Sequence, residues 1–124
     1  MDLIINGLTL AYIGDAYYEL RVRNYLVNKG ITNVNKLHKT AVGFVSSEYQ
    51  AKAILHLINN NLLSEKELIY FKTGRNKAPV RTGIDNNNYR LATGFESLIG
   101  YLSLNDSKRC DELIDIIINF LDKG

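Results

Sequence analysis

The sequence predicts an all-α single domain, and three observations predict it. Apolar residues recur mostly at three- and four-residue spacing. Glycine and proline are sparse outside a few places, Pro79 being the only proline. Two serines, Ser47 and Ser64, stand three residues ahead of Gln50 and Glu67, the Ser-x-x-Gln/Glu pattern of a helix start. At 124 residues the chain is long enough for one core and too short for two, so residues 1–124 are expected to form one domain. A hydrophobic share of 46% beside 23% charged residues excludes disorder as a reading of the whole chain.

Leu8, Ala11, Tyr12, Ile13, Tyr18, Val22 and Leu26 carry a first helix from Gly7 to Asn28, closed by Gly30, and its length suggests a central position. Asn35 to Phe44 reads as a short helix bearing His38 and Lys39. Ser47 and Gln50 open the next, with Ala51, Ile54, Leu55 and Ile58 on its buried face and the run Asn59-Asn60-Asn61 at its end. Ser64 and Glu67 open a fourth through Leu68, Ile69 and Phe71, stopping near Gly74. Arg75 to Asn88 holds Pro79, Gly83 and three asparagines without a sustained period, so an exposed loop is expected there. Periodicity resumes with Leu91, Phe95, Leu98, Ile99 and Leu102, and again with Leu113, Ile117, Phe120 and Leu121 after Asn105-Asp106-Ser107. The tyrosines of the first helix, Tyr12, Tyr17, Tyr18 and Tyr25, read as packing or interface residues, with the core as their expected place.

No apolar run approaches the roughly 18 residues of a membrane span, and no secretory leader is visible, so a cytoplasmic protein without a membrane partner is expected. Cys110 stands alone, which excludes an internal disulfide and a cysteine-based metal site. The net charge of +2 is unevenly spread. Residues 72–90 carry Lys72, Arg75, Lys77, Arg81 and Arg90 against Asp85 alone, a local +4 opposed to −2 over the remainder.

Two acids stand out of place. Asp15 lies on or beside the apolar stripe of the first helix, and Glu96 sits among Phe95, Leu98 and Ile99 in an otherwise uncharged helix. An ionised carboxylate in such surroundings is costly unless paired, hydrogen-bonded or bound to a cation. If the two meet across a helix crossing, they form an oxygen-rich site suited to Mg²⁺, which takes one or two carboxylates plus waters and substrate phosphates. Glu19, one turn after Asp15, would join or support it. The alternative is that each acid accepts hydrogen bonds from a neighbouring helix or pairs with Arg21 or Arg90. The basic segment likewise reads either as a solvated face or as a phosphate-binding surface, with His38 and Lys39 as weaker candidates for the same surface.

The string Asn6-Gly7-Leu8-Thr9-Leu10-Ala11-Tyr12-Ile13-Gly14-Asp15-Ala16-Tyr17-Tyr18-Glu19-Leu20 resembles the signature helix of ribonuclease III, and more closely that of the Mini-ribonuclease III subgroup. Tyr89-Arg90-Leu91-Ala92-Thr93-Gly94-Phe95-Glu96-Ser97-Leu98-Ile99-Gly100-Tyr101-Leu102 is similar to the other catalytic helix of that family, and Lys72-Thr73-Gly74-Arg75-Asn76 to the subgroup's basic loop. The resemblance runs from about Leu3 to Leu121. It implies an α-helical endonuclease domain working as a homodimer, each protomer supplying one Mg²⁺-dependent site that cuts one strand of double-stranded RNA. Asp15 and Glu96 fall on family catalytic and metal positions. Leu8, Ala11 and Thr93 stand where ordinary ribonuclease III has further acids, a loss the subgroup shares. No double-stranded-RNA-binding domain follows Gly124, so RNA binding is expected from the catalytic dimer itself, with Lys72, Arg75, Lys77, Arg81 and Arg90 as phosphate contacts. The resemblance further implies maturation of the large-subunit (23S) ribosomal RNA precursor, aided by a large-subunit ribosomal protein. A non-catalytic RNA-binding or ribosome-assembly module on the same fold is the alternative.

Overall fold

The structure, a computed structural model, describes residues 6–80 and 86–123, and every regular element among them is an α-helix. They run α1 (Gly7–Asn28), α2 (Val34–Val45), α3 (Ser47–Asn59), α4 (Glu65–Lys77), α5 (Asn86–Asn105) and α6 (Ser107–Lys123). The expectation that α1 is central is corrected. That place belongs to α5, where Leu91, Ala92, Thr93, Gly94 and Phe95 are buried in succession, so the helix is enclosed all round. Around it pack α1, α3 and α4, with α2 laid against α1 and α3 and α6 against α3 and α5. The core joins Tyr18, Val22 and Leu26 of α1, Ile54 and Leu57 of α3, Phe71 of α4, Phe95, Leu98 and Ile99 of α5, and Leu113, Ile114 and Ile117 of α6.

The helix ends follow local chemistry. Asn6 and Asn33 cap α1 and α2, their side-chain oxygens accepting from the N–H of Leu8 at 2.7 Å and of Lys36 at 3.0 Å. Ser64 and Glu67 form the reciprocal capping box foreseen for α4, with bonds of 3.1 and 2.8 Å. Gly30 takes a φ of +107°, and the Ile31 N–H closes back on the Leu26 carbonyl at 3.2 Å, the left-handed stop expected after α1. Asn61, at φ 54°, ends α3 the same way through Leu62 N–H to Leu57 O at 2.9 Å.

Several expectations fail. Arg75–Lys77 complete α4 and Asn86–Asn88 begin α5, so six of the residues expected in a loop from Arg75 to Asn88 are helical, and 81–85 lie outside the described residues. The stop comes at Ala78, extended at φ −63° and ψ 130° because the ring of Pro79 disfavours the helical region in the residue before it. Gly74 does not end the helix; it is buried within it against Thr93 and Ser97 of α5. Ser47 and Gln50 form no capping box: Ser46 is the N-cap, without a side-chain bond, and Gln50 turns inward. Leu55 is accordingly exposed, and Ala53 and Leu57 take the inner face. Of the four tyrosines, Tyr18 is buried and donates to Phe44 O at 3.0 Å, while Tyr17 and Tyr25 are half-buried and donate to Asp111 and Asp122 of α6. Tyr12 is 82% exposed, against the expectation of core.

Candidate active site

The site is set by how closely α1 and α5 cross. A Cβ placed on Gly14 would lie 1.8 Å from the carbonyl oxygen of Glu96, and one on Gly100 would lie 1.9 Å from that of Leu10. Only residues without a side chain let two backbones approach so nearly. Asp15 follows Gly14 and Glu96 stands one turn before Gly100, so the crossing brings the two acids together. Their carboxyl groups stand close enough that Asp15 favours the protonated form of Glu96.

Their exposures differ. Asp15, expected on or beside the apolar stripe, lies beside it and is exposed, and Glu96 is partly buried. Burial, the hydrogen bond to Asp15 and the negative charge of Asp15 push the Glu96 carboxyl up to about 8. The nearby charge of Glu19 pushes the same way, and Gln50 opposes it, its Nε2 donating to Glu96 Oε2 at 3.3 Å. Neither arginine considered as a partner reaches the acids. Arg21 pairs with Asp115 at 2.9 Å and Asp111 at 3.4 Å, and Arg90 donates from Nε to the backbone carbonyl of Arg75 at 3.2 Å.

Glu19 is drawn aside, taking the Arg23 guanidinium at 2.9 Å. Among the described residues, no group of three or more acids, histidines or cysteines stands close enough to hold a metal, and the candidate donor set is the Asp15–Glu96 pair. That donor set fits Mg²⁺, which commonly accepts one or two protein carboxylates and keeps waters or phosphate oxygens in its other positions.

The basic residues divide. Gly74 packs against Ser97, the neighbour of Glu96, and against Gly7, which stands about 12 Å from Asp15 along α1 at about 1.5 Å per residue. The end of α4 that carries Lys72, Arg75 and Lys77 therefore packs against the start of α1 and against the Thr93–Ser97 stretch of α5. Lys72 and Lys77 are exposed, and Arg75 rests its guanidinium 5.4 Å from the Phe71 ring centre. Arg90 secures the carboxyl end of α4, and Arg81 lies outside the described residues. His38 and Lys39 are exposed on α2, where His38 lines a cleft of about 450 Å³ with Glu19, Arg23, Val27 and Val42.

Sequence reasoning missed Gln50 and the glycines of the crossing. Gln50 carried the signal that exposed the acids, a polar residue in register with Ala53, Ile54 and Leu57 on an apolar face, but the capping-box reading absorbed it. The glycines gave none, because a residue without a side chain leaves no periodic trace.

The model of the ribonuclease III domain matches residues 8–107. The chain is 49% identical over 121 residues to a Mini-ribonuclease 3 of Acholeplasma laidlawii, covering 97% of each. It is 45% identical over 114 residues to that of Enterococcus faecalis, covering 90% of this chain and 86% of the relative. A crystal structure of a Fusobacterium nucleatum protein, 29% identical, superposes with a TM-score of 0.81 over 94% of this chain and 93% of that one. An all-helical fold built on a close α1–α5 crossing, and relatives alike over nearly their whole lengths, place this chain in the ribonuclease III family, among the Mini-ribonuclease III proteins.

Proposed function

We propose that the chain is a Mg²⁺-dependent endoribonuclease that cuts double-stranded RNA as a cytoplasmic homodimer and matures the large-subunit (23S) ribosomal RNA precursor, helped by a large-subunit ribosomal protein. The observation that carries the catalytic part is the meeting of Asp15 and Glu96, the two acids to which the family resemblance gives the catalytic role. Family membership supports RNA as substrate and an endonucleolytic cut. Resemblance to the subgroup supports the ribosomal precursor and its helper protein.

Asp15 and Glu96 would hold the ion, Asp15 from the exposed side and Glu96 from beneath. When bound, Mg²⁺ would polarise the scissile phosphate and lower the pKa of a water for in-line attack, leaving a 5′-phosphate and a 3′-hydroxyl. Before it can coordinate, Glu96 must release the proton that burial and Asp15 stabilise on it. Lys72, Arg75 and Lys77 would hold the RNA backbone beside the acids, with Arg81, His38 and Lys39 at the edges of that surface and Arg90 supporting Arg75. No protein nucleophile is required.

The outer face of α1 supports the dimer. Tyr12 is 82% exposed, Leu20 57% and Leu8 42%, an apolar strip flanking Asp15. A two-fold pair along that strip would set two sites and two basic segments on one surface. Light scattering on Tyr12→Glu tests it, with a loss of mass to the monomer expected. The catalytic reading is tested by incubating the protein with long double-stranded RNA, with and without Mg²⁺, beside Asp15→Asn and Glu96→Gln. Cuts with 5′-phosphate ends are expected from the parent alone. RNA bound but uncut by the parent at high Mg²⁺ would favour the non-catalytic module, since only two carboxylates converge where ordinary ribonuclease III has more.

A further inference from the structure

We infer that Gln50 is a positioning residue for Glu96: its amide holds the carboxylate in the orientation from which the Asp15–Glu96 pair takes a divalent cation. The inference rests on the reading of that pair as the metal-holding centre. Gln50 is 2% exposed, on the face of α3 that otherwise presents Ala51, Ala53, Ile54 and Leu57. Its Nε2 lies 2.9 Å from the carbonyl oxygen of Val45 and 3.3 Å from Glu96 Oε2. Both partners are acceptors, so the nitrogen must face them and the amide has only one way round. One side chain of α3 thereby ties the end of α2 to the carboxylate on α5.

The arrangement is costly in one respect. With its nitrogen so used, the amide leaves Oε1 buried without a donor. An unsatisfied buried carbonyl is unfavourable, and an apolar side chain of the same length would avoid it. Hydrocarbon there would serve packing but could not hold Glu96. Freed of the amide, Glu96 would keep its hydrogen bond to Asp15 but could turn its other oxygen out of the shared orientation. Partners that orient metal-binding carboxylates typically govern affinity by about 10–100-fold.

The test is Gln50→Met, which keeps the length and removes the donor, with Gln50→Leu beside it. Mn²⁺ serves as the probe, because carboxylate and water donors suit it as they suit Mg²⁺. Binding to the RNA-free protein is measured by calorimetry at fixed pH, and cleavage is titrated with Mg²⁺. We expect the Mn²⁺ Kd and the half-maximal Mg²⁺ concentration to rise together by about 10-fold or more, with most of the rate recovered at saturating Mg²⁺. A lower melting temperature with an unchanged Mn²⁺ Kd would show Gln50 to be structural and overturn the inference. If both variants unfold, the wild type decides: the Gln50 side-chain amide signals in ¹⁵N-labelled protein should shift along the Mn²⁺-free Mg²⁺ titration, and unmoved signals overturn the inference. Asp15→Asn and Glu96→Gln separate the two levels. If they bind Mn²⁺ like the parent, the metal centre itself is misassigned; if they lose it while Gln50→Met does not, the positioning role alone falls.

Discussion

Gly14→Ala asks whether the active site depends on two backbones in contact. The added Cβ would stand 1.8 Å from the Glu96 carbonyl oxygen, 2.7 Å from its carbon and 2.7 Å from the Gly100 nitrogen. A carbon-to-oxygen approach ordinarily settles near 3.3 Å or more, so α1 and α5 would have to part by about 1.5 Å. All three obstructing atoms belong to a helix backbone and cannot swing aside, which puts the cost near the top of the roughly 1–3 kcal/mol of overpacking. The better helix propensity of alanine returns about 1 kcal/mol. A net loss of about 2 kcal/mol should lower the melting temperature by about 8 °C in a chain of this size. The effect on cleavage should exceed the effect on stability, because a misplacement of about 1 Å between acting groups costs on the order of 100-fold. Gly43→Ala is the control: nothing lies within 4 Å of its added Cβ, and it should gain about 0.5–1 kcal/mol. Circular-dichroism melts and cleavage rates at a temperature where both variants are folded decide the matter. A Gly14→Ala protein that melts and cuts like Gly43→Ala would refute the account of how the acids are brought together.

Glu67 is 6% exposed and takes Arg109 through two oxygens at 2.9 and 3.0 Å, so Arg109→Leu, which leaves that carboxylate buried alone, should cost about 3 kcal/mol in urea denaturation. Burial alone would raise the Glu67 carboxyl, but the bonds from Arg109 and the Ser64 N–H outweigh it and hold the group below its ordinary value. Its contribution is therefore present above the unfolded carboxylate pKa near 4.3 and fades as pH falls through the lower folded value; Glu67→Gln should flatten that acid limb. Glu96 has the opposite sign: raised to about 8, it favours the protonated folded state, so metal-free protein should lose stability as pH climbs from 4.5 towards 8. Melts in EDTA across that range should show Glu96→Gln without this decline, and a decline retained in full would assign it to another group. Replacing Lys72 and Lys77 with glutamine should weaken RNA binding and lower the slope of log K against log salt by roughly 1.4–1.8 per chain, if each meets one phosphate; an unchanged slope removes the end of α4 from the RNA surface.

The parts of the fold legible in the sequence were those with a local cause. Asn59-Asn60-Asn61, Gly30 and the Ser64–Glu67 box mark helix ends because their backbone and capping chemistry operates within a few residues. Asp15 and Glu96 were legible because a charge among apolar neighbours is locally out of place, even though what resolves it lies 81 residues away along the chain. The length of α4 was not legible. Its last turn is polar and aperiodic, and it stays helical because Gly74 is clamped against Ser97 and Arg90 secures its carbonyl end, both through partners on α5. Tyr12 misled for a related reason, since helical spacing reports which residues share a face but not whether that face looks inward.

One helix, α1, gives Tyr18, Val22 and Leu26 to the core and leaves Leu8, Tyr12 and Leu20 outside, with Asp15 on the boundary between the two faces. A carboxylate wholly inside would meet neither ion nor RNA, and one wholly outside would be fixed by nothing. On the boundary it is anchored by the glycine crossing behind it and remains open to a polyanion in front. Glu96 shows the complementary compromise: partly buried and held by Asp15 and Gln50, it is fixed well but carries its proton upward in pH. If the pair holds the ion as proposed, the roles divide by depth, the deeper acid giving rigidity and the outer one access, and the close approach of α1 to α5 brings both to a single point.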